Sequence, residues 1–402
     1  MVKILILDDD TVRAMGWRDD IVKLNGDFSI DVPDVSGVVD IIADLHNSRL
    51  VSRKPNYEYK SCERFAGYDL VVIDYDLLGL DGDARSAWST GAEVAYAARL
   101  MSNVGPIVVV NQYGTNSFDL TMRRTISSYA DFDLGDKQVT SAGLWKSRDF
   151  EGFRPWYWPN FLSEAMRFTR MQAFVLENLE NPVMDVLGFS LDDPGSHRFI
   201  GHDVAGYLGI GGNERLTFKQ LMVERRAAQL FNILEKDVDV IEKMPREQQA
   251  RLASVIVWHW LEKVVLPGQE VLCDLPHLAS RFPWVVRDVS NGAAWQALCD
   301  LEDSPGVVGE LEAYRFEHDF FFSRPVYWGE GVKSQCGVPA GFDISSVPDF
   351  VFCEDCSGFF SMDDAKSFPA DLLCFDKERW VKGGGECEGY QVNYEPQAYL
   401  LM

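Results

Sequence analysis

At 402 residues the chain is long enough for two or three domains of ordinary size, each with its own core, and needs no disulfide staples. Its 62 acidic and 38 basic residues leave a net charge of −24, which repels a nucleic-acid phosphate backbone and argues against a basic DNA-binding face. At 47% hydrophobic and 25% charged residues the composition is that of a folded globular chain, and no apolar run approaches the ~20 residues that span a bilayer.

The first predicted element is a strand over Lys3-Ile-Leu-Ile-Leu7, a continuous apolar run ending in Asp8, Asp9 and Asp10. It reaches those aspartates too soon for a signal-peptide apolar region, so a cytoplasmic chain is expected, with its eight cysteines reduced. Two more runs end in the same way: Tyr68-Asp-Leu-Val-Val-Ile73 in Asp74, and Pro106-Ile-Val-Val-Val110 in Asn111. Helix-like sequence follows each, as in Thr90 to Leu100. Alternating buried strands and helices imply a parallel α/β sheet, whose ligands sit at the carboxyl ends of the strands. A helix is predicted from Asn160 to about Leu179, and Asn181-Pro182 marks a first boundary. Residues 181–270 read as mainly helical, with Thr217–Lys236 and Arg246–Val265 as amphipathic stretches. Residues 271–402, rich in aromatics, glycine and proline, read as an α+β unit.

Placed side by side, the strand ends put Asp8, Asp9, Asp74 and Asn111 along one crevice. Crowded carboxylates repel one another unless a cation lies among them. A hard divalent ion with oxygen ligands, Mg²⁺ where phosphate chemistry is involved, accounts for such a cluster, and a carboxylate beside it can attack phosphorus. The plainer alternative is a set of acidic loop residues capping strand ends.

Lys3-Ile-Leu-Ile-Leu-Asp-Asp-Asp10, Tyr68-Asp-Leu-Val-Val-Ile-Asp-Tyr-Asp-Leu-Leu-Gly-Leu-Asp-Gly82 and Pro106-Ile-Val-Val-Val-Asn111 resemble the receiver domain of two-component response regulators. The similarity covers residues 1–180. It implies a five-stranded parallel, flavodoxin-like sheet, with Asp74 as phosphoacceptor. It also implies Mg²⁺ held by Asp8, Asp9, Asp74 and the backbone carbonyl of Asp76, and a sensor histidine kinase as phosphodonor. The sequence departs from the family at Asn111, where a Thr or Ser hydroxyl is usual. The phosphoryl-contacting lysine is either Lys137, which has the better spacing, or Lys146, which follows the more strand-like Gly143-Leu-Trp145. The segment between Asp9 and Asp74 is longer than usual, so the domain is an atypical receiver. The expected role is a signalling protein acting through protein contacts of its C-terminal part, or a phosphate sink, rather than a DNA-binding factor.

Two other readings stand beside this one. Residues 181–402 could hold an unrecognised catalytic domain under receiver control. Ile4 to Val12 also resembles the first motif of haloacid-dehalogenase-type phosphatases, with Asp8 as nucleophile and Asp10 as general acid. Among weaker signals, Cys353-Glu-Asp-Cys356 is the one Cys-x-x-Cys pair, with Cys336, Cys374, Cys387, His277 and His318 elsewhere, and falls short of a zinc pattern. Gly209-Ile-Gly-Gly212 reads as a turn before a helix capped by Thr217, and His259 as a core histidine in a helix. His202 reads as a loop residue, and the aromatic run Phe320 to Trp328 as core.

Overall fold

The structure, a computed structural model, describes residues 2–80, 88–111, 118–119, 129–146, 154, 158–224, 233–299, 307–367, 379–382, 386–387 and 390–393. Its N-terminal part is a five-stranded parallel sheet of order β2-β1-β3-β4-β5. The strands are β1 (Val2–Leu7), β2 (Phe28–Asp31), β3 (Leu70–Asp74), β4 (Ile107–Asn111) and β5 (Phe132–Gly135). The three apolar runs of the sequence are the three central strands. Every residue of β3 and β4 is buried, as a strand covered by helices on both faces requires. Leu7 lies opposite Ile73, Asp74 opposite Val110 and Asn111 opposite Gly135, which brings the strand ends to one edge.

Helices α1 (Thr11–Leu24), α2 (Val35–Ser52) and α3 (Gly91–Met101) connect the strands. Helix α1 buries Ala14, Trp17 and Ile21, a 3-and-4 spacing that forms one stripe. Between β2 and β3 the chain forms α2, 18 residues long, and the turn after it. Helix α4 (Phe161–Asn178) begins behind its N-cap Asn160, whose side chain accepts from the Leu162 N–H.

Helix α5 (Arg246–Trp260) is buried at every residue from Gln248 to Trp260 and continues through a π-helical turn, Leu261–Val265. It packs along α4 and reaches the sheet domain, where Gln248 Nε2 donates to the Ser102 carbonyl. The stretch Thr217–Lys236 is not one helix as the sequence suggested. Thr217 caps only the short helix Phe218–Leu221, through a capping box with Gln220, and a turn follows.

The C-terminal part pairs β6 (Leu272–Asp274) with β7 (Val326–Trp328) and carries α6 (Leu275–Arg281). It also forms a four-stranded sheet from β8 (Phe350–Cys353), β9 (Gly358–Ser361), β10 (Lys366–Ser367) and β11 (Trp380–Val381), in the order β9-β8-β11-β10. Phe321, Phe322, Tyr327 and Trp328 are buried, so the aromatic run is core. His202 opens a short helix, His202–Gly206, and is exposed.

The larger hydrophobic core extends from Ile4 to Val381 across the limits at 180/181 and 270/271, while a second core that includes Cys273, Leu275, Val285, Trp295 and Leu311 lies within the C-terminal part. Polar contacts cross the first limit too. Asp237, fully buried, accepts from Arg49 Nη2 at 2.6 Å, Arg53 Nε at 2.7 Å and Tyr96 Oη at 2.9 Å. Among the described residues, no helix is long and apolar enough to cross a membrane.

Candidate functional site

The carboxyl edge of β1 and β3 carries the site. Asp8 and Asp74 continue their strands and are 1% and 0% exposed, while Asp9 is half-buried. One ligand oxygen from each of Asp8, Asp9 and Asp74 lies within 4.8 Å of the others; among the described residues this is the cluster of side chains suited to a metal. Local hydrogen bonds fix the carboxylates. Asp10 N–H donates to Asp8 Oδ1 at 2.7 Å, and Gly79 N–H to Asp9 Oδ2 at 2.7 Å. A Cβ at Gly79 would overlap the Asp9 carboxylate, so a side chain there requires that carboxylate to shift. Gly91 likewise sits against the Asp74 carbonyl oxygen, at the start of α3.

A fourth side chain, absent from the sequence reading, closes the cluster. Arg13 Nη2 lies 2.7 Å from Asp8 Oδ1, 2.5 Å from Asp74 Oδ2 and 3.5 Å from Asp9 Oδ1. Its Nε donates to Asp8 Oδ2 at 2.9 Å. Its presence has one sequence signal, three residues beyond Asp10. A cation in the first turn of a helix opposes the macrodipole, so Arg13 needs carboxylates at hand.

Three carboxylates against one guanidinium leave the group −3 + 1 = −2 when all are ionised. Burial pushes the Asp74 carboxyl up to about 8, and the Asp8 charge adds to the rise while Arg13 opposes it. Asp9 is raised as well, by burial first, against the Gly79 N–H. The hydrogen bond to Asp8 leads the causes that hold Arg13 firmly protonated. Asp74 Oδ1 is buried and has no hydrogen-bond partner. An orphaned carboxylate oxygen beside two more carboxylates is the donor set a hard divalent cation takes, so Asp8, Asp9 and Asp74 fit Mg²⁺.

The remaining expected residues surround this edge unevenly. Asp76 is half-buried; its Oδ1 accepts from the Leu78 N–H at 3.1 Å and its backbone bridges Thr90, the N-cap of α3. Asn111 ends β4 and is buried. Lys137 is exposed two residues beyond β5; before it, Asp136 accepts from Trp17 Nε1 of α1 at 2.9 Å. Lys146 is half-buried, and the residues leading to it are helical (Ala142–Trp145), not the strand their sequence suggested. Among the described residues, neither lysine pairs with Asp8, Asp9 or Asp74. Asp10 faces away from the triad: as N-cap of α1 its carboxylate accepts from the Val12 and Arg13 N–H groups.

Cys353 ends β8 and Cys356 lies in the turn after it, with Cys356 N–H donating to the Cys353 carbonyl. Cys374 and the side chain of Cys387 lie outside the described residues. His277 and His318 are held by other partners: His277 between Asp274 and Glu354, and His318 by the Val186 carbonyl. Compared with known proteins, the chain matches no family model, no curated protein and no solved structure.

Proposed function

We propose that the protein is a response-regulator-like member of a two-component phosphorelay, acting in the cytoplasm, with Asp74 as its phosphoacceptor and a sensor histidine kinase as donor. The observation that carries this reading is the convergence of Asp8, Asp9 and Asp74 at the carboxyl edge of a β2-β1-β3-β4-β5 parallel sheet, with Asp74 Oδ1 left unpartnered. In the transfer, an Asp74 carboxylate oxygen forms a bond to phosphorus as the phosphorus–nitrogen bond of the phosphohistidine breaks, and the freed imidazole leaves with that electron pair. Mg²⁺, held by Asp8, Asp9, Asp74 and the Asp76 carbonyl, would supply charge neutralisation for the phosphoryl oxygens. Asn111, at the end of β4, has an amide that can donate a hydrogen bond to them. Because that amide replaces a hydroxyl, the reading favours phosphate storage, or contacts made by the C-terminal region, over a large conformational switch. The net charge of −24 argues against a nucleic-acid partner.

The phosphatase alternative needs Asp10 as general acid, and the engagement of Asp10 in capping α1 counts against it. The test is an intact-mass measurement after incubation with Mg²⁺ and acetyl phosphate. One added phosphoryl group is expected, lost in Asp74→Asn and retained in Asp76→Asn, because only the backbone of Asp76 is used. Equal labelling of the Asp74→Asn protein overturns the assignment.

A further inference from the structure

We propose that Arg13 is a tethered competitor for the cation site, so that guanidinium and divalent ion are alternative occupants of one set of oxygens. The inference rests on the metal reading of Asp8, Asp9 and Asp74 given above. A single nitrogen, Nη2, lies within 3.5 Å of one oxygen from each of the three carboxylates, the volume an ion bound by all three would occupy. Mg²⁺ takes its oxygens at about 2.0–2.1 Å and demands near-octahedral geometry, so ion and guanidinium cannot be seated together. Deprotonation offers Arg13 no escape, since a guanidinium keeps its charge in proteins. It must move out for the ion to move in.

Three observations make the guanidinium a displaceable occupant. It leaves Asp74 Oδ1 without a partner, so it satisfies the site only in part. Its side chain is 22% exposed, which gives it a path to solvent. It projects from the first turn of α1, where the helix dipole disfavours a cation and the carboxylates oppose that effect. Trp17, whose ring centroid is 5.7 Å from the Arg13 guanidinium carbon, borders it on the same helix. In the ion-free protein Arg13 therefore relieves the repulsion among the carboxylates. The apparent affinity for the ion is then the intrinsic affinity multiplied by the fraction of molecules in which Arg13 has left the site.

The test is titration calorimetry of the full chain with Mg²⁺, repeated with Mn²⁺, on the parent protein, Arg13→Gln, Arg13→Lys and Arg18→Gln. Arg18→Gln removes the same charge from the same helix at a half-buried position away from the triad, where Arg18 pairs with Asp19. Arg13→Gln is expected to bind the ion at least tenfold more tightly than the parent, with Arg18→Gln within about twofold of it. Arg13→Lys keeps the charge but lacks the fork that bridges two carboxylates, and should fall between; it also serves if the Gln variant fails to fold. Binding that is equal in the parent and both Arg13 variants, or weaker in those variants, overturns the competition and leaves the metal reading intact. Equal gains in Arg13→Gln and Arg18→Gln overturn it too, by assigning the effect to overall charge. If no protein in the set binds either ion at millimolar concentration, the metal reading fails and the competition falls with it.

Discussion

Two single residues show how tightly the interior constrains side chains. Gly91 opens α3 against the Asp74 backbone, and a Cβ there would overlap the Asp74 carbonyl oxygen and come within 3.1 Å of Ile73 Cγ2. Gly91→Ala should therefore lower the unfolding free energy by about 1–3 kcal/mol, measured by urea denaturation; a change under about 0.5 kcal/mol would show that the helix start can slide. Arg251 is the opposite case. It is 3% exposed, its Nε and Nη2 have no acceptor, and burial pulls its pKa down to about 9. Its guanidinium lies over the Phe168 ring, with 5.2 Å between the guanidinium carbon and the ring centroid, a contact that a thioether can largely replace. Arg251→Met should leave stability unchanged or raise it by about 1–3 kcal/mol, since an unpaired buried charge costs more than an apolar side chain of similar length. A loss above about 1 kcal/mol in the same assay would reveal a partner for that guanidinium.

At the scale of elements, Asp237 joins α2 and α3 to the segment before α5. Burial raises its pKa, but Arg49 and Arg53 outweigh burial and hold the carboxyl below its ordinary value. Asp237→Ala would leave two guanidinium groups and a tyrosine hydroxyl facing a void. It should cost about 3–5 kcal/mol in denaturant melts, and a cost near zero would show that the three donors find other acceptors. What the sequence revealed at this scale follows from the range of the interactions involved. Apolar runs cut off by aspartate or asparagine marked the central strands, Asn160 marked the start of α4 and the amphipathic stretch from Arg246 marked α5, because burial pattern and capping act within a few residues. The Asp8–Asp9–Asp74 cluster was legible for the same reason, each carboxylate marking a strand end. Arg13 needed the folded geometry, since its pairing with Asp74 spans 61 residues and leaves no local periodicity. Gly143-Leu-Trp145 misled because three apolar residues suit a buried strand or a buried helical turn equally well, and tertiary packing of Leu144 and Trp145 decided the outcome.

Across the whole molecule, buried charges tie the C-terminal sheet to the rest. Arg379 and His277 both donate to Glu354, His277 also engages Asp274, and Arg324 Nε reaches Asp274 Oδ2 at 3.1 Å. Burial lowers the His277 pKa, but Asp274 and Glu354 overcome burial and raise it above its ordinary value of 6.5. A folded-state value above the unfolded one means that the stabilisation is complete below pH 6.5 and is lost as pH rises through the folded-state value. The stability gap between the parent and His277→Gln should therefore narrow from mildly acidic to alkaline solution, as followed by denaturant midpoints. A gap that stays constant or widens would mean that His277 is neutral when folded. The Asp237 clamp also bears on synthesis. Asp237 follows Arg49 by 188 residues, so at the usual ribosomal pace of about 5–20 residues per second the arginines wait roughly 10–40 s for their counter-ion. During that interval Arg49 and Arg53 lack the carboxylate that neutralises them in the folded chain, so the clamp can close only late in synthesis.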